Sequence, residues 1–206
     1  MVQPDALVYP TPQGLYCPVG DFHIDPVRAV PRAVITHGHA DHARAGHGAV
    51  LATPETLAIM AVRYGEAFTP SRQALRPGET VSLSGVDVRF APAGHVLGSA
   101  QAVISYKGLK MVVTGDFKRR RDPTCARFEV ERAHVLITEA TFGLPVFRHP
   151  DDRLEIDKLL RAVRAAPDRA FLVGAYSLGK AQRLIALIRE AGWQAPIYLH
   201  GSMTAL

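Results

Sequence analysis

The feature that most restricts this chain is Thr36-His37-Gly38-His39-Ala40-Asp41-His42, three histidines and one aspartate within six residues, directly behind the apolar segment 32–36. With 9 His and 11 Asp in 206 residues, chance produces H-x-H-x-D-H in roughly one such chain in a thousand. Two histidines at i and i+2 on extended backbone project to the same side. Imidazole suits Zn, and also Fe, Ni and Cu. A chain turning away from the strand end aims Asp41 and His42 at a second position close by, and Gly38 leaves no side chain between the two histidines. The competing reading is a solvated polar loop.

Two further loops fit the same plan. Gly94-His95-Val96-Leu97-Gly98 places a histidine just after an apolar run at 86–91, and Thr114-Gly115-Asp116 places an aspartate just after one at 109–114. Alone, each reads as an ordinary turn residue. Together, three strand-end loops predict a binuclear metal site at one edge of a β scaffold. Candidate strands are 6–9, 22–24, 33–36, 50–52, 80–83, 86–91, 101–106, 109–114 and 134–138, rich in Val, Ile and Thr. Ser84-Gly85 and Lys107-Gly108 read as hairpin turns. A helix is expected over 54–64, with Thr53 as N-cap and Pro54 in its first turn.

The pattern changes near residue 145. Leu154, Leu159, Leu160 and Val163 have helical spacing within 151–166, and Leu184, Leu187 and Ile188 line one face of a second helix at 179–191. Short strands are expected at 170–173 and 196–199. This is the opening of a βαβ-like rhythm, and with the chain stopping at Leu206 it reads as truncated. Two cysteines, Cys17 and Cys125, are too few for a disulfide framework or a multi-thiolate zinc site, and read as reduced thiols. No signal-peptide pattern precedes Tyr16 and no apolar run reaches the roughly 18 residues of a membrane span, so a cytoplasmic protein without a membrane partner is expected. The net charge of +5 is compatible with a polyanionic partner.

These motifs resemble the metallo-β-lactamase superfamily: H-x-H-x-D-H, then a downstream His and a downstream Asp. The resemblance implies an α/β fold, an αββα sandwich, with residues 1–144 as the core. It implies that His37, His39 and His95 hold one metal, Asp41 and His42 the other, and that Asp116 bridges both. Asp25, in Ile24-Asp25-Pro26, matches an upstream Asp that supports the histidine loop; the alternative for it is an Asp-Pro turn. Thr138-Glu139-Ala140-Thr141-Phe142-Gly143 and Gly179-Lys180-Ala181-Gln182 resemble motifs of the β-CASP nuclease branch, so 145–206 is expected to begin a β-CASP-like α/β insertion. Arg183 stands where that branch usually has Glu. Gly14-Leu15-Tyr16-Cys17-Pro18 and Gly20 through Pro26 resemble bacterial DNA ligase-associated exonucleases, which act beside a ligase and a helicase. The branch also carries further ligand histidines that none of His134, His149 and His200 matches by order.

The implied reaction is phosphodiester hydrolysis with two divalent ions, Zn first and Mn second. Asp41 and Glu139 are the expected catalytic carboxylates. Lys118, Arg119, Arg120 and Arg121 are candidates to hold a phosphate backbone, against the plain reading of a solvated charge run. Lys180 at a helix start is another, against a packing glycine at Gly179. Phe117 and Phe142 are candidates for base stacking or for core packing. His47 reads as a loop residue and not a ligand. Two other functions share the same ligands: an RNA-processing nuclease, and a small-molecule hydrolase such as a thioesterase or lactonase. A non-catalytic nucleic-acid scaffold is the alternative outside enzymology.

Overall fold

A computed structural model describes residues 3–205; Met1, Val2 and Leu206, the last being where the truncation is read, lie outside the described residues. The chain divides into two compact units, Met1–Glu139 and Ala140–Leu206, with the break a few residues before the change of pattern at 145. Among the described residues, no helix is long and apolar enough to cross a membrane.

In the first unit, α1 (Pro4–Leu7) leads into a six-stranded sheet built in chain order from β1 (Tyr9–Thr11), β2 (Gly14–Cys17), β3 (Phe22–Ile24), β4 (Arg32–Val34), β5 (Ala49–Ala52) and, after α2 (Pro54–Tyr64), β6 (Ser71–Ala74). The first three strands are antiparallel, whereas β3 to β6 run parallel. A second sheet takes β7 (Thr80–Leu83), β8 (Val86–Pro92), β9 (Ala100–Tyr106), β10 (Leu109–Val113) and β11 (Val135–Ile137) in the order β11-β10-β9-β8-β7. Its two hairpins turn at Ser84-Gly85 (φ 50° and 84°) and Lys107-Gly108 (φ 45° and 82°). Two successive positive φ values match the right-handed twist of the flanking strands.

The period-2 alternation of β8 sends Val86, Val88 and Phe90 inward, where they meet Ile24, Val34 and Leu51 of the first sheet and Ala102, Ile104, Met111 and Val113 of their own. The other face of the first sheet, through Ala33, Val50 and Ala52, packs on Leu57 and Met60 of α2. Thr53 caps this helix by accepting the Thr56 N–H at 3.2 Å. The two-sheet α/β sandwich agrees with the expected fold. Across the far face of the second sheet, over buried Ala91, Val103 and Val112, runs irregular chain. Glu129 donates its N–H to the Pro92 carbonyl, and Glu131 bonds Arg89 at 2.6 Å and Lys110 at 2.7 Å.

Several local expectations need correction. Residues 6–9 are not one strand, because the Pro4 start nucleates a helical turn and the strand begins at Tyr9. β2 and β6 carry no alternating apolar signal, and β6 is exposed along its whole length. In the second unit, α3 (Asp152–Ala165) and α4 (Lys180–Glu190) pack through Ile156, Leu160 and Ile188, and Arg183 pairs with Asp152. The segments 170–173 and 196–199 form no strands among the described residues. A strand needs a hydrogen-bonded neighbour, and these segments leave Leu172 97% and Tyr198 93% exposed. Cys17 and Cys125 form no disulfide.

Buried Asp122 accepts bonds from Lys118 and, at 2.6 Å, from the Thr124 hydroxyl. Burial opposes its ionisation, but these donors outweigh burial and hold its carboxyl below the ordinary 3.8. Glu131, likewise desolvated and then favoured by Lys110 and Arg89, sits below its ordinary 4.5. A depressed carboxyl contributes stability that is complete above the ordinary value and is lost as pH falls through the folded one. Denaturant titrations should therefore show stability declining below about pH 5. Asp122→Asn with Glu131→Gln should flatten that decline, and Asp122→Ala should cost about 1–3 kcal/mol at pH 7.

Candidate metal centre

Strand direction decides where the loops meet. β3 and β4 are parallel, so Asp25 and the loop 36–42 leave the same edge of the first sheet. β8 and β10 are each antiparallel to β9, hence parallel to one another, and β11 is parallel to β10. The His95 loop, Asp116 and Glu139 therefore leave one edge of the second sheet. The Ala100 N–H donates to the Thr36 carbonyl at 2.8 Å, which sews the two edges together.

His37, His39, His95 and Asp116 each offer a donor atom, and these four atoms lie within 4.8 Å of one another. His39 Nδ1 is 3.0 Å from His37 Nε2 and 3.2 Å from His95 Nε2. Asp116 Oδ2 is 3.9 Å from His37 Nε2 and 3.4 Å from His95 Nε2. A tetrahedral Zn²⁺ with bonds of about 2.0–2.1 Å separates its ligands by about 3.3 Å, and the four groups are spaced for that. On the other side, Asp116 Oδ1 is 3.4 Å from His42 Nε2. Asp41 Oδ2 is 3.8 Å from the same nitrogen, on a side chain 77% exposed. Asp25, His37 and His42 form a second group of donors within the same 4.8 Å spread.

The proton positions follow from the hydrogen bonds. Asp25 Oδ1 accepts the Thr36 N–H at 2.7 Å, and its Oδ2 accepts the Thr36 hydroxyl at 2.5 Å and His42 Nδ1–H at 2.8 Å. These three bonds hold Asp25 at φ 44°, a left-handed conformation costly for a residue with a Cβ. Having given its only proton to Asp25, Thr36 Oγ1 accepts from His37 Nδ1 at 3.1 Å. The Nε2 lone pair of His37 is thereby left facing Asp116, as metal ligation requires, whereas His42 Nε2 directs a proton at Asp116 that a cation would have to displace. Gly115, at φ 53°, makes the turn to Asp116; a Cβ there would stand 2.5 Å from Thr36 Oγ1.

Electrostatics points the same way. Burial pushes His37, which is fully buried, and His95 down, the latter to about 4, so both are neutral at pH 7. A hydrogen bond from His42, together with that ring's charge, holds Asp116 well below the usual carboxylate range despite its desolvation. Burial also opposes a charge on His42, but Asp116 and Asp25 together outweigh it and raise His42 to about 10.

The remaining expected residues are scattered. Glu139 Oε1 lies 3.4 Å from the Phe117 N–H, next to Asp116. Of the basic run, Lys118 is half-buried and paired with Asp122, whereas Arg119, Arg120 and Arg121 are exposed. Lys180, in the second unit, lies 4.7 Å over the Tyr176 ring. Phe117 packs on Phe128, while Phe142 is exposed beside Phe147. His47 lies in a loop, as expected, and is fully buried there, its Nδ1 accepting the Val30 N–H at 3.3 Å. Sequence reasoning passes over Thr36, whose signal is its place immediately before the histidine run.

Residues 22–174 match the metallo-beta-lactamase superfamily. A probable DNA ligase of Opitutus terrae is 31% identical over 191 residues, covering 91% of this chain and 18% of that protein. Cleavage and polyadenylation specificity factor 73 of Drosophila melanogaster is 36% identical over 114 residues, 53% of this chain and 16% of its own length. Endoribonuclease ysh1 of Emericella nidulans is 35% identical over 136 residues, 60% and 15% respectively. The chain thus spans less than a fifth of each of these relatives. In fold it is similar to a protein of unknown function from Enterococcus faecalis V583, with a TM-score of 0.53 at 15% identity over 77% of this chain and 44% of that one.

Two outcomes are expected. Thr36→Val should weaken zinc binding about 10–100-fold, with Thr36→Ser recovering most of it, as read by competition with a chromophoric chelator. Because metal binds neutral imidazole, filling the His42 position at pH 8 should release about one proton and bind more tightly as pH rises toward 10; calorimetry in buffers of different ionisation enthalpy measures that release.

Proposed function

Given that the chain belongs to the metallo-beta-lactamase superfamily, we propose that it is a metal-dependent phosphodiesterase, an exonuclease on single-stranded DNA that works in repair beside a DNA ligase. The observation that carries the hydrolase reading is the ring of His37, His39, His95 and Asp116, with His42 on the far side of the same aspartate. The DNA reading is supported by the probable DNA ligase, whose likeness runs over 91% of this chain. The likeness to endoribonuclease ysh1 favours RNA as the second substrate to test.

Zn²⁺ or Mn²⁺ ions held by these residues supply Lewis acidity, lowering the pKa of a water toward about 7 and offsetting charge on the phosphate oxygens. Asp116 is the side chain that serves both positions, through Oδ2 toward His37 and His95 and Oδ1 toward His42. The neutral rings of His37 and His95 keep their lone pairs available without a competing proton. Asp41, on the open side 3.8 Å from His42, orients the attacking water and takes its proton. Glu139, held by the Phe117 N–H beside Asp116, is placed to relay the proton from Asp41 toward the leaving sugar oxygen. Arg119, Arg120 and Arg121 follow Asp116 on exposed chain and grip the phosphate backbone. Lys118, half-buried, contributes less; Lys180 is a separate phosphate contact on the second unit.

The protein, supplied with Mn²⁺ or Zn²⁺, should shorten end-labelled single-stranded DNA, and a chelator should stop it. Asp116→Ala should slow it about a thousand-fold or more. Preferential cutting of RNA moves the substrate to the second reading. Turnover of a thioester with neither nucleic acid cut makes it a small-molecule hydrolase. Nucleic-acid binding without metal uptake makes it a scaffold.

A further inference from the structure

We infer that α2 is a strut that sets the spacing between the two histidine-bearing loops, and that Arg63 at its end is a positioning residue for the His37–His42 loop. The inference rests on the reading of that loop as a metal centre.

The helix is held by the two loops at opposite ends. At its N-terminus, the hydroxyls of Thr53 and Thr56 lie 2.7 and 3.3 Å from the Gly98 carbonyl. Gly98 belongs to the His95 loop, which Ser99 closes on itself: its Oγ accepts the N–H groups of His95 at 3.0 Å and Val96 at 3.1 Å. Fixing Gly98 therefore fixes His95. The approach is close enough that a Cβ on Gly98 would stand 2.7 Å from Glu55 Cβ.

At the C-terminal end, Arg63 Nη1 donates to the Gly38 carbonyl at 2.5 Å, and the Tyr64 hydroxyl donates to the Ala43 carbonyl at 2.9 Å. Gly38 lies between His37 and His39, and Ala43 follows His42, so the two bonds grip the loop in its middle and at its end. One turn before Arg63, Ile59 packs on Gly38, where a Cβ would meet its Cγ2 at 2.8 Å. Residues i and i+4 share a helix face, so Ile59 and Arg63 together clamp one peptide unit.

Eleven helical residues span about 16 Å, and Leu57 and Met60 anchor this helix on the first sheet. The spacing of His95 from His37 and His39 is thus referred to one stiff element rather than to loop conformation alone. A guanidinium is well matched to this position. It stays charged, its donors are fixed in a plane, and it faces the negative end of the helix dipole. Ligand nitrogens must meet a metal within a few tenths of an ångström, so a shift at the Gly38 carbonyl displaces both ligand rings.

The test is zinc affinity of the full chain, by chelator competition, with circular dichroism on the same samples. Arg63→Met should weaken binding about 10–100-fold with the helix signal unchanged, and Arg63→Lys, which keeps a charged donor, should recover part of it. Tyr64→Phe should weaken binding less. Affinity of Arg63→Met within twofold of the unchanged chain overturns the inference. If Arg63→Met does not fold, Tyr64→Phe decides by the same criterion. No zinc uptake by the unchanged chain would instead overturn the metal-centre reading, which separates the two failures.

Discussion

The loops of the site are tied together through the hydrogen bonds of one buried residue, Thr36. Its N–H and hydroxyl both go to Asp25, its oxygen receives the His37 ring proton, and its carbonyl takes the Ala100 N–H from the opposite sheet. Gly115 rests against its side chain. The loops from β3, β4, β8 and β10 thus share one fully buried contact. A polar group at such a place is tolerated only with all its bonds made. That requirement lets a fold built mainly on non-directional apolar packing aim ring nitrogens to within ligation tolerance.

The charges are arranged with the same economy. Asp25 sets the ring proton of His42 directly and that of His37 through Thr36, so one carboxylate orients rings on both sides of Asp116. Burial keeps His37 and His95 neutral, while His42, between two carboxylates, holds a proton that a cation would displace. Desolvation dominates at His37 and His95; hydrogen bonds to two carboxylates dominate at His42. The centre is therefore asymmetric before anything binds it.

Much of this is legible in the sequence because its signals are local. The pairs Ser84-Gly85 and Lys107-Gly108 turn where two-residue hairpin chemistry places them, and Thr53-Pro54 starts α2 as its capping pattern requires. The histidine run is legible because its ligands sit within six residues at strand spacing. The misses have physical causes. β6 is an exposed strand of Ser, Arg, Gln and Ala, and it forms because β5 offers hydrogen bonds, not because of its own side chains. Segments 170–173 and 196–199 have strand composition but, among the described residues, no neighbour to pair with. His47 does lie in the loop that its glycine neighbours suggest, but its burial has no local signal: its ring accepts the N–H of Val30, seventeen residues away.

By itself, the sequence determined the chemistry on offer: imidazoles and carboxylates in strand-end loops, of the kinds and spacings that suit divalent metals. Residue type and short-range backbone geometry are local properties, so they survive without a fold. Only the tertiary structure decided that β8 runs with β10 so that His95 and Asp116 share an edge, that Thr36 joins the two sheets, and that Arg63 reaches back to Gly38. Those are contacts between residues far apart in the chain. Strand direction and helix packing create them, and no local spacing encodes them.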